Sequence, residues 1–195
     1  MALKSFEEYE ELAKAAHGHM CAGQVLGLRL AIHGLELLGI DDPLGQHRKR
    51  LVSFVEIDRC ATDAVTVVTG CRLGKRALKF RDFGKMAVTF CDLLTDRAVR
   101  VVAKESSKQR AREVYPEIED KNQQQMKAYR ELPVGDMFEH AWVRVTLPPE
   151  EMPGFKGPRV SCAQCGEGIN FKREVEVHGR VLCKACAGER YYEVL

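Results

Sequence analysis

Long hydrophobic runs are missing from this chain of 195 residues. Its longest apolar stretch, Val25 to Leu38, is interrupted by Arg29, His33 and Glu36 and is too short to cross a bilayer. The opening residues, MALKSFEEYEELAKAAHG, are acidic and amphipathic and lack the apolar centre of a secretory signal. An excess of one charge is missing too, because 30 Lys and Arg meet 28 Asp and Glu, a formal net charge of +2. That balance removes the electrostatic case for nucleic acid or a membrane surface as the main partner. Internal repeats and low-complexity tracts are absent, apart from a duplicated Cys-x-x-Cys. A soluble, cytoplasmic protein is the expectation, and its length suits one medium domain with a small appendage.

Cysteine is what the chain has in quantity, with 8 residues. In a reducing cytosol, paired Cys-x-x-Cys motifs are metal ligands more often than disulfide staples. Four of the cysteines form two such pairs near the C-terminus, while Cys21, Cys60, Cys71 and Cys91 are scattered through the first half.

The pattern predicts an α+β protein: a core domain of an antiparallel or mixed sheet with helices over residues 1–150, and a small finger over 158–195. Ser5 and Glu8 form a capping box ahead of a short amphipathic helix over residues 6–16. A second helix is expected from Ala22 to Leu38, stopped by Gly39 and Asp41-Asp42-Pro43. Strands are expected at LVSFVEI (51–57), ALKFRDF, KMAVTFCDL, AVRVVAK and HAWVRVTL (140–147). CATDAVTVVT (60–69) is β-branched, yet Ala61, Ala64, Val65 and Val68 share a helical face and Gly70 follows as a C-cap, so a helix is preferred. Residues 106–130 are polar and divided by Pro116 into two helical pieces; their sparse apolar residues suit an arm that reaches across a homodimer. The stretch PPEEMPGFKGP (148–158) is the linker.

Cys162, Cys165, Cys183 and Cys186 read Cys-x-x-Cys, 17 residues, Cys-x-x-Cys. Each pair forms a tight knuckle, and two knuckles complete the tetrahedral thiolate shell that structural zinc prefers. Two redox dithiols or a rubredoxin-like iron site are the alternatives; zinc is favoured by the spacing. A closed shell of four thiolates is structural rather than catalytic, and it lets a segment with little apolar core fold. REVEVHGRVL between the knuckles reads as a hairpin turning at His178-Gly179.

The stretch HGHMCAG (17–23) sets His17, His19 and Cys21 at alternate positions. If extended, all three point to one side. Cys21 stands just before one predicted helix and Cys60 at the start of another, where the positive end of the helix favours thiolate. Asp63, one turn on, shares the side of Cys60. Taken alone, the seven residues fit a plain loop as well as a site. Cys91 reads as a small buried hydrophobe, His33 and His140 as packing or surface residues, and His47 in GQHRKR as part of a solvated basic loop.

HGHMCAGQVLGLRLA, VEIDRCATDAVTVVTGCRLGKRAL and FRDFGKMAVTF together resemble the FmdE family, which takes its name from formylmethanofuran dehydrogenase. The matching positions are His17, His19 and Cys21, then Cys60 and Asp63, then Thr69, Gly70, Cys71, Gly74 and Lys75, then Gly84 and Lys85. The resemblance implies an α+β core, a C-terminal zinc finger in some members, and molybdenum or tungsten enzyme subunits as partners. Ala22 stands where proline is usual, and Arg72, Arg76 and Ala77 stand where Thr, Gly and Asn are usual. The added arginines imply more anionic ligands. The chain is too short to enclose a pterin-bound metal and lacks a ferredoxin cysteine run, so an accessory or stand-alone role is implied, not that of the catalytic subunit. The expected core site has His17, His19, Cys21 and Cys60 as ligands of a second transition metal, Asp63 as ligand-orienting group or base, and Lys75 or Lys85 as holder of an anionic substrate. One alternative is a thiol redox enzyme using Cys60 as the reactive thiol, with Cys21 or Cys71 as resolving partner; the other is an interaction or regulatory protein using the finger.

Overall fold

The computed structural model describes residues 3–194, which divide into two compact units, Met1–Val145 and Thr146–Leu195. The first unit is built on α2 (Ala22–Leu38), preceded by α1 (Phe6–His17). The capping box at α1 is complete: the Glu8 N–H donates to Ser5 Oγ at 3.2 Å and the Ser5 N–H to Glu8 Oε2 at 2.8 Å. Nearly every face of α2 is apolar, so it is buried almost all round, with Val25, Leu28, Leu30, Ala31 and Leu35 fully enclosed. Each leucine so enclosed contributes roughly 2 kcal/mol.

Strands β1 (Leu51–Val55), β2 (Leu78–Phe80), β3 (Ala87–Asp92), β4 (Arg97–Ala103) and β5 (Phe138–Val143) form one sheet in the order β2-β1-β3-β4-β5. The sheet is mixed. β2 runs parallel to β1, with Ser53 opposite Leu78, and α3 (Cys60–Thr69) provides the crossover that parallel pairing requires. The other pairs are antiparallel. Helix α3 ends at Gly70, whose φ of 68° gives the left-handed cap expected from the sequence.

Helix α2 packs on β3 and β4 and against α3. The approach to α3 requires Gly27, because a Cβ there would stand 2.7 Å from the Ala61 Cα and carbonyl oxygen. The polar arm forms α4 (Ser106–Val114) and α5 (Lys121–Glu131). Its apolar residues find their neighbours within the same chain: α5 packs on α2, and Ala128 and Tyr129 are buried.

Two expectations need correction. The strand expected at 140–147 is displaced toward the N-terminus, because Phe138 pairs with Ala103 and sinks into the core, while the residues after Val143 leave the sheet. His47 is buried rather than solvated: its Nδ1 accepts the Asp42 N–H at 3.3 Å and lies 3.3 Å from Asp41 Oδ1. Cys91 is a buried hydrophobe, and burial pushes its thiol up to about 12. Among the described residues, no helix is long and apolar enough to cross a membrane.

The second unit carries four short strands. β6 (Val160–Ser161) pairs with β7 (Gly168–Ile169), and β8 (Val175–Val177) with β9 (Arg180–Leu182). The β8–β9 hairpin turns at His178 and Gly179, both with positive φ, as two-residue hairpin loops prefer. Ile169 and Leu182 form a minimal apolar core beside the cysteines.

Candidate metal centre

His17 is the last residue of α1, and Gly18 caps the helix with φ 89°, its N–H donating to Lys14 O. The chain reverses there, and Cys21 follows as the extended N-cap of α2, with φ −145° and ψ 167°. The three side chains therefore converge through a helix–turn–helix junction rather than along an extended strand. The ligand atoms of His17, His19 and Cys21 lie within 4.8 Å of one another. The two imidazoles face each other with ring centroids 4.8 Å apart and planes tilted by 41°.

Helix α3 brings the next two residues. Cys60 is its first residue, with Arg59 as N-cap, and Asp63 lies in its first turn. Asp63 Oδ2 accepts from His17 Nδ1 at 2.8 Å. That bond fixes the ring and leaves Nε2 as the free donor atom. Cys60 lies against Cys21, the two thiols being hydrogen-bonded. Burial and then the Cys21 thiol raise the Cys60 pKa, and these outweigh the backbone N–H and Arg59 that pull it down. The lowering expected at a helix start does not prevail there. The thiols meet because Gly23 lacks a side chain: a Cβ at Gly23 would lie 3.2 Å from the Cys60 Cβ and 3.7 Å from Cys21 Sγ.

The site opens into a cleft of about 590 Å³ lined by His17, Asp58, Arg59, Cys60, Thr62 and Asp63. Lys85 lies at the same end of the sheet, its N–H bonded to the carbonyl of Glu56 just beyond β1. Lys75 is elsewhere. It follows the C-terminal end of α3, at the level where Leu78 pairs with Ser53, and α3 alone separates its two ends by roughly 14 Å. Arg72, Arg76 and Ala77 share that far end, so the structure does not bring these departures from the family pattern to the Cys60 cleft.

Sequence reasoning missed Gln24. It is fully buried, and its Nε2 donates to the Cys60 carbonyl at 2.7 Å. The signal was a polar residue three positions after Cys21 on an otherwise apolar helix.

In the second unit the thiols of Cys162, Cys165, Cys183 and Cys186 lie within 4.8 Å of one another. Left-handed Gly166 and Gly188 turn the chain after each pair. Backbone N–H groups of Cys165 and Cys183 hold the Cys162 thiol down to about 6, whereas hydrogen bonding with the Cys183 thiol, together with burial, pushes Cys186 up to about 12. Four thiolates this close repel one another, and a dication removes that repulsion. The donor set fits zinc, which takes four sulfurs at about 2.3 Å.

Residues 16–142 match the family model described as FmdE, molybdenum formylmethanofuran dehydrogenase operon. The chain belongs to the FmdE family. Residues 157–192 match the prokaryotic dksA/traR C4-type zinc finger, so this FmdE chain carries a four-cysteine zinc-finger domain. A crystal structure of an FmdE-like protein of tungsten formylmethanofuran dehydrogenase from Syntrophus aciditrophicus is similar to it, with a TM-score of 0.67 and 26% identity, covering 99% of this chain and 100% of that one. A probable S-adenosyl-L-methionine-binding protein of Archaeoglobus fulgidus is 31% identical over 94% of this chain. The FmdE chain spans 53%, about half, of that relative's length.

Proposed function

We propose that the core domain holds a catalytic or sensing transition metal ion on His17, His19 and Cys21, distinct from the structural zinc of the finger. The observation that carries this reading is the convergence of two imidazoles and one thiol within 4.8 Å. An ion with ligand bonds of about 2.0–2.3 Å draws its donors to separations of roughly 3.5 Å, which small rotations of these side chains reach. Mixed nitrogen and sulfur donors suit zinc, and after it nickel or iron. Three protein ligands leave a fourth position facing the cleft for water, substrate or the Cys60 thiol. Asp63 orients His17, and Lys85 is the cation placed to meet an anionic group at that end of the sheet. The ion supplies Lewis acidity and a soft anchor for a ligand; the chain supplies the orientation and the half-buried setting.

This makes the chain an accessory or stand-alone FmdE protein, with any molybdenum or tungsten chemistry left to separate polypeptides. Elemental analysis of the purified chain tests the site. The reading requires two metal ions per chain, falling to one in Cys21→Ser. A single ion in both proteins removes it.

A second reading rests on the contact between Cys21 and Cys60. Two touching thiols at two helix starts form a disulfide when an oxidant removes two electrons and two protons, which would make Cys60 a redox thiol. Alkylation of metal-free protein separates the two: a fast-reacting Cys60 thiol at neutral pH favours redox chemistry, a slow one favours the metal. The Archaeoglobus relative's name makes S-adenosyl-L-methionine the first small molecule to try at the cleft.

A further inference from the structure

Helix α2 has an unusual start. Its N-cap is Cys21, which makes no side-chain cap bond. A Ser, Thr, Asp or Asn at such a position would normally take up one of the free N–H groups of the first turn. The Cys21 thiol is turned instead toward His17, His19 and Cys60. The first helical N–H, that of Ala22, is nonetheless satisfied: it donates to Asn122 Oδ1 at 2.9 Å, from a residue 100 positions away.

Asn122 is delivered there by the arm, whose role the core site alone does not explain. It is the second residue of α5, and α5 has its own cap in Asp120, which accepts the Gln123 N–H at 2.7 Å. Asn122 is therefore not spent on its own helix. The far end of α5 is tied to α2 by Arg29, whose Nη1 donates to the carbonyls of Tyr129 at 2.9 Å and Arg130 at 2.7 Å, and whose Nη2 donates to Leu132 at 3.0 Å. Arg130 also pairs with Glu10 of α1 at 2.8 Å. Residues 22–29 and 122–130 thus lie side by side, running in the same direction, with a bond across each end.

We propose that Asn122 is a positioning residue of the metal site: the arm supplies in trans the helix cap that Cys21 gives up so that its thiol faces the ion. This rests on the metal-site reading above. The bond to Ala22 fixes the peptide that follows Cys21, and with it the direction of the thiol. Outer partners that orient a ligand typically change metal affinity by about 10- to 100-fold when removed.

Cobalt(II) titration of the full chain, its finger already loaded with zinc, tests this, read through the thiolate-to-cobalt absorption. Because Asn122 is exposed, Asn122→Ala leaves folding intact, checked by an unchanged thermal midpoint. The expected result is a loss of about 10- to 100-fold in core-site affinity for Asn122→Ala, with recovery in Asn122→Asp, which keeps an acceptor. Equal affinity in wild type and Asn122→Ala overturns the proposal, as does an Asn122→Asp variant as weak as the alanine. Wild-type protein that binds no cobalt beyond the finger defeats the metal-site reading instead. Iodoacetamide alkylation of Cys21 then decides: a rate raised about 10-fold in Asn122→Ala and restored in Asn122→Asp supports the positioning role, and equal rates in all three proteins overturn it.

Discussion

His17 and Asp63 are joined by a hydrogen bond of 2.8 Å that ties the end of α1 to the first turn of α3. The bond decides which imidazole nitrogen is free. Asp63→Ala leaves His17 unoriented and is expected to weaken core-site metal binding by about 10- to 100-fold, with finger uptake unchanged. Competition with a chromophoric chelator measures it, and an unaltered core affinity would contradict the orienting role.

Asp92 is buried at the end of β3 and takes a two-pronged bond from Arg50. Burial alone would raise its carboxyl, but Arg50, Thr95 and the Leu94 N–H hold it down to about 2. The folded value lies below the ordinary 3.8, so the unfolded chain takes up the proton first. The resulting stabilisation, about 2 kcal/mol, is present above the unfolded value and is lost as the pH falls from about 4 toward 2. Urea midpoints measured across that window should drop in the wild type and flatten in Asp92→Asn. Equal slopes in both would rule this out.

Gly27 sets the distance between α2 and α3, since any Cβ there stands 2.7 Å from Ala61 backbone atoms. Gly27→Ala is expected to destabilise the core by about 1–3 kcal/mol through overpacking. It should also loosen the contact between Cys21 and Cys60, which lies at the start of the same two helices. Chemical denaturation gives the first effect. The yield of Cys21–Cys60 disulfide under mild peroxide gives the second, and an unchanged yield would separate the packing from the site.

Metal removal should act on the two units differently. The finger's apolar core is little more than Ile169 and Leu182, so its fold depends on its ion. The core unit has its own buried helix and five-stranded sheet. A strong chelator should expose the finger to proteolysis after Val145 while leaving the core as a resistant fragment. Complete digestion of both would show that the core needs a metal to fold.

Much of this fold was legible because its signals are local. Gly39 and Gly70 end α2 and α3 where the sequence places them, with φ of 69° and 68°, and the two knuckles and the His178-Gly179 turn follow from spacing and turn chemistry. The trio of His17, His19 and Cys21 was legible as a cluster, though for a different reason: Gly18 reverses the chain at a helix end, whereas the alternation suggested an extended run. The illegible parts come from long-range pairing. Asn122 reaches Ala22, Gln24 reaches Cys60, and Phe138 takes its register from Ala103; no period or motif near those residues announces the partner. The family pattern grouped Lys75 with Cys60, while the parallel β1–α3–β2 crossover puts them at opposite ends of one helix.

The most direct test of the core metal site is anomalous scattering, recorded above and below the zinc edge on crystals of the chain grown with zinc. Two peaks per chain are predicted, one among Cys162, Cys165, Cys183 and Cys186 and one between His17, His19 and Cys21. A peak in the finger with none at the His17 cluster would contradict the account.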